Sequence, residues 1–107
     1  MQEETQERII SRHAQMVNDL SDHIYKESED WLKFTALVKA YMPPKAVKDN
    51  LQQIVDYLIQ QQHISYGHYD KLYEVVFKIN KAAADIIKKA ESDIKAIQDG
   101  EWRQMNT

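Results

Sequence analysis

The stretch Arg8-Ile9-Ile10-Ser11-Arg12-His13 gathers two guanidinium groups and an imidazole in six residues. Arginine can steady an oxyanion, and a histidine with a near-neutral pKa can move protons. His13 also falls on the apolar stripe of Ile9 and Val17, so a place at the edge of a core is its other reading. A second grouping is His63, His68 and Asp70, whose side chains are of the types that ligate zinc. A five-residue spacing puts the two histidines on different faces of a helix, and no further His or Cys lies near. The ligand set is too small, and no metal site is expected. A third grouping is aromatic: Tyr57, His63, Tyr66, His68, Tyr69 and Tyr73 surround one turn. Tyrosine joins a large apolar face to a polar tip and is favoured at binding surfaces. Several such rings cannot all face inward, so this cluster is the expected binding surface. Its competing role is to seal the junction between two helices. Trp102, in a polar stretch, has the same two readings.

Other chemistry finds little support. There is no glycine-rich phosphate loop, no Ser/His/Asp set with suggestive spacing, and no pair of acids isolated among apolar residues. No catalytic residue and no cofactor are expected. The net charge of −3 comes largely from residues 1–28, where Glu3, Glu4, Glu7, Asp19, Asp22 and Glu27 face only Arg8, Arg12 and Lys26. Lys78, Lys81, Lys88, Lys89 and Lys95 form the best basic cluster, but Asp85, Glu91 and Asp93 interleave with it. Counterion release from nucleic acid would be weak, and no nucleic-acid partner is expected. No apolar run approaches the roughly 18–20 residues of a spanning helix, so no membrane insertion is expected. The acidic start does not read as a signal peptide, and the absence of cysteine suits a reducing compartment; a cytoplasmic location is expected.

The elements that must carry these groups are helices. Only two glycines and two prolines occur in 107 residues, too little turn chemistry for many strands. One domain over residues 1–107 is expected. A first helix is predicted over about 4–27 from Ile9, His13, Val17, Leu20 and Ile24, flanked by Ile10 and Met16. Ser28 reads as an N-cap with Glu29 and Asp30 in the first turn, opening a helix over 29–42 with Trp31, Phe34, Val38 and Tyr41 on one face. Pro43 and Pro44 stop it. A third helix is predicted over 44–62, with Val47, Leu51, Ile54, Val55, Leu58 and Ile59. The last is predicted over 67–98, with Ser65 and Gly67 at its start and Gly100 as its C-cap. Tyr69, Leu72, Val76, Ile79, Ala83, Ile86 and Ala90 give it a heptad-like seam. Unbroken, its roughly 31 residues would span nearly 50 Å, more than the shorter helices can cover. Asn80 is a candidate N-cap that would divide it. The expected fold is an all-α, four-helix bundle with a long C-terminal helix, or five helices if Asn80 breaks it, followed by a polar tail over 99–107.

Arg8 and His13, four residues between them, resemble the Arg-x4-His signature of HEPN-type ribonucleases, which are small helical dimers. The resemblance implies a phosphate-steadying Arg8 and a proton-handling His13. In that family the motif sits late in the domain, whereas here it opens the first helix. The stretch from Val47 to Ile79, with His63-Ile64-Ser65 followed by Tyr69, Leu72, Val75 and Ile79, looks somewhat like immunity proteins against pediocin-type bacteriocins. It is similar, too, to the middle of a caspase-recruitment domain and to the coactivator domain that binds activation-domain helices. All three families bind proteins. The expected function is accordingly a small non-enzymatic protein-binding module of adaptor, inhibitor or immunity type. Its partner would be another protein or a second copy in a homodimer, docked on the aromatic turn or on the seam of the last helix. The alternatives are a ribonuclease using Arg8 and His13, and a structural self-association domain.

Overall fold

A computed structural model describes residues 3–25, 27–43 and 50–105, with side chains to residue 100. Five helices follow one another: α1 (Glu3–His23), α2 (Glu29–Val38), α3 (Leu51–Gln60), α4 (Asp70–Phe77) and α5 (Lys81–Met105). No strand occurs among the described residues. α5 lies mainly along α1 and also against α4, while α1 meets α3 and α2 meets α4.

The apolar stripes meet in one core. Ile9, Met16, Val17, Leu20 and Ile24 from α1 and its end pack with Trp31, Phe34 and Val38 of α2. Leu51, Ile54, Val55 and Leu58 come from α3, Leu72, Val75 and Val76 from α4, and Ala83, Ala84, Ile87, Ala90 and Ile94 from α5. Three small alanines, Ala83, Ala84 and Ala90, lie on the buried face of α5. Ile10, beside the α1 stripe, is 42% exposed.

Local chemistry sets the ends. α1 closes at His23, short of residue 27, with Ile24 still donating its N–H to Leu20 O and buried in the core. Glu27 then adopts a positive φ of 71°, which turns the chain toward α2. Ser28 caps α2 as its type predicts: Oγ accepts from Trp31 N at 3.0 Å and donates to Tyr25 O at 2.6 Å. α2 ends at Val38, and the predicted last turn to residue 42 becomes a tight turn that buries Met42 ahead of Pro43. The predicted start of the third helix at Pro44, and Val47 on its stripe, lie outside the described residues. Asn50 Oδ1 accepts from Gln53 N at 2.9 Å and caps α3 at Leu51.

α3 ends in a Schellman arrangement. His63 N–H donates to Leu58 O at 2.9 Å, and Gln62 N–H to Ile59 O at 3.0 Å. Gln62 sits in the left-handed region at φ 63°, a position that usually takes glycine.

The predicted helix over 67–98 is two helices. Asn80 is the break: its Oδ1 accepts from Ala83 N at 3.1 Å and caps α5. Its Nδ2 lies 3.4 Å from Asp30 Oδ2, tying this corner to the first turn of α2. Divided there, the chain lays α4 on α2 and α5 on α1, so the surplus length foreseen for one straight helix does not arise. Gly100 does not cap α5. The helix passes through it to Met105, at about 37 Å in all, and takes in much of the predicted polar tail. A helix-interior glycine costs only about 1 kcal/mol against alanine, a penalty that does not by itself end a helix.

Candidate functional site

The aromatic turn is built by Ser65-Tyr66-Gly67-His68. Ser65 and His68 exchange both backbone hydrogen bonds, at 3.1 and 2.9 Å. Gly67 carries φ +86°, the geometry of the third position of a type II turn. A Cβ there would also come within 3.0 Å of Ile94 Cγ2, so this position needs glycine for two reasons. The glycine thus belongs to the turn and not to a helix; α4 begins only at Asp70, where Glu91 Oε1 accepts from Tyr69 N at 3.3 Å.

The turn sorts the six predicted ring residues into four places. His63, Tyr66 and His68 line a cleft of about 450 Å³ together with Ile59, Gln62, Ile64, Ser65, Asp70 and Lys71. Ile64 is buried and Ile59 half-buried, which gives the cleft an apolar floor under a polar rim. Tyr66 stands at the tip of the turn, 37% exposed. Lys71 Nζ lies 3.5 Å from His63 Nδ1 and 5.6 Å from the centre of the Tyr41 ring, and His63 and Tyr41 pack with centroids 5.6 Å apart. Tyr73 faces elsewhere: it stacks beside Phe77, and Lys88 Nζ sits 4.3 Å over its ring. Tyr57 is half-buried on α3 and does not line the cleft.

Tyr69 is not a surface residue. It is among the largest fully buried side chains, and its hydroxyl meets His13 Nδ1 at 2.8 Å. Its neighbour in the turn, Tyr66, lies edge-on to the same imidazole at 4.9 Å. Burial pushes the Tyr69 hydroxyl up to about 12. The same effect lowers the His13 pKa, against a weaker opposing pull from Asp56. His13 Nε2 is buried without a partner among the described residues. The imidazole is therefore neutral at pH 7 and sealed inside the protein. The rest of the seam is consumed as well: Leu72, Val76, Ala83 and Ala90 are buried, Ile79 and Ile86 pack half-buried against the core, and Ile87 is fully buried beside them.

Arg8 and His13 do not form a joint site. Arg8 is exposed, whereas His13 points into the core. Arg12 does more than the sequence indicated. Its Nε donates to Asp93 Oδ2 at 2.8 Å, joining α1 to α5 across 81 residues of sequence. No cluster of three or more His, Asp or Glu side chains able to hold a metal occurs among the described residues. Among them no helix is long and apolar enough to cross a membrane.

Comparison with protein-family models, curated proteins and solved structures yields no match to this chain.

Proposed function

We propose that this chain is a small helical protein-binding module that docks its partner at the cleft beside the Ser65–His68 turn. The observation that supports this reading most is the pairing of a rigid turn tip with a lined recess. Tyr66 projects where the two reciprocal backbone bonds hold it, next to a floor of Ile59 and Ile64. An apolar floor with a few polar groups at the rim suits one aliphatic or aromatic anchor side chain of a partner. Lys71 and the two histidines would orient an acidic neighbour of that anchor. Burying the anchor supplies the affinity, and the rim supplies the register.

Two substitutions test it. Tyr66→Ala removes the projecting ring, and Lys71→Glu reverses the charge of the rim. Both positions are exposed, so helical content measured by circular dichroism is expected to stay unchanged. Affinity for the native partner, measured by calorimetry, is expected to fall by about ten-fold or more for Tyr66→Ala, as for the loss of a central aromatic contact. Unchanged affinity in two folded variants would end this reading. A variant that loses its helices would show that the Tyr66 ring works for the core.

A further inference from the structure

A second recess lies between the first turns of α1 and the later turns of α5. Its volume is about 450 Å³, and its walls are Thr5, Arg8, Arg12, Asp93, Ala96, Ile97 and Gly100. We infer that this recess binds a small organic oxyanion, a carboxylate or phosphate group carried on a compact body.

The charge of the walls points this way. Among the described residues two guanidinium groups and one carboxylate line the recess, one positive charge in excess in a protein whose net charge is −3. Glu4 and Glu7 do not line the recess; they line an adjacent shallow groove that shares Arg8, Arg12 and Ile97 with it. Arg12 is held in place and not free to swing. Its side chain is 15% exposed, and Asp93 fixes it through Nε alone. Its Nη1 is buried and has no hydrogen-bond partner among the described residues, so the guanidinium keeps an unsatisfied donor beside the recess. Arg8 sits one turn before Arg12, so both can meet one anion. Guanidinium groups present donors in a planar fork that matches two oxygens of a carboxylate or phosphate. Ala96 and Ile97 give the recess an apolar wall, which fits the organic part of such a ligand better than a bare ion. The site shares no residue with the turn cleft and does not depend on the docking role proposed for it.

The test is a titration of the intact chain with inorganic phosphate, acetate and phenyl phosphate at constant ionic strength, against sodium chloride. Chemical shifts of Arg12 Nε–H and the Gly100 backbone N–H are followed by NMR. Saturable shifts at both positions are expected, strongest for phenyl phosphate. The difference between phosphate and acetate shows which head group is preferred. Arg8→Gln, an exposed change that leaves the Arg12–Asp93 pair in place, is expected to weaken binding about ten-fold, the loss of one charge-assisted hydrogen bond. Shifts that do not saturate, that chloride reproduces, or that Arg8→Gln leaves unaltered would overturn the assignment.

Discussion

Tyr69→Phe deletes one oxygen atom, and its effect can be worked from the surroundings of His13. Among the described residues the hydroxyl is the sole hydrogen-bond partner of the imidazole, at 2.8 Å from Nδ1, and Nε2 has none. His13 is 5% exposed, so water cannot replace the lost bond. A buried polar group left without a partner costs about 1–3 kcal/mol. At about 5 °C per kcal/mol for a domain near this size, the melting temperature should fall by roughly 5–15 °C. His13→Leu should also destabilise, because it strands the Tyr69 hydroxyl, although the Gly67 backbone N–H still acts on that group. The double variant His13→Leu/Tyr69→Phe replaces both partners with apolar groups of similar shape. It should return to within about 1 kcal/mol of the parent. The two sites are in contact, so strong non-additivity is the signature sought. Urea unfolding followed by circular dichroism gives each free energy. Additive losses, or a Tyr69→Phe variant as stable as the parent, would refute a coupled buried pair.

The same histidine sets a pH dependence. Burial lowers its pKa from 6.5 in the folded chain, so the unfolded chain takes up a proton first as pH falls. Stability should be flat in this group above about pH 6.5 and decline below it by up to about 1.4 kcal/mol per pH unit. His13→Leu/Tyr69→Phe should flatten the profile below about pH 6.5; an unchanged slope would assign it elsewhere. Gly67→Ala forces a side chain into φ +86° and against Ile94, and should cost at least about 1–2 kcal/mol in urea unfolding. Gln62→Gly relieves a left-handed residue at φ 63° in the α3 cap and should gain about 1 kcal/mol in the same assay.

The helices and their faces were legible in the sequence, because the apolar stripe of α1 and the Ser28 cap each depend on residues a few positions apart. The Asn80 break was legible as well, since asparagine can cap locally. Gly100 misled for a physical reason: glycine permits a helix to end but does not compel it, since inside a helix it costs only about 1 kcal/mol. The heptad template placed Ile86 at the centre of the seam, whereas Ile87 is fully buried there and Ile86 packs half-buried beside it. The candidate site was legible in composition but not in geometry. A count of rings near one turn cannot tell that Tyr69 points inward while Tyr66 points outward. That division rests on His13, 56 residues away. Nothing local marks Arg12 as the partner of Asp93, or Gln62 as a left-handed cap without glycine.

Site-specific photocrosslinking tests the docking role most directly. A photoreactive side chain is placed at Tyr66 and, as a control, at the exposed Asn18 on α1, and each variant is irradiated in host cells. The docking role predicts one discrete adduct of defined mass from position 66, absent from position 18 and lost on adding Lys71→Glu. No adduct from position 66, or the same adducts from both positions, would contradict it.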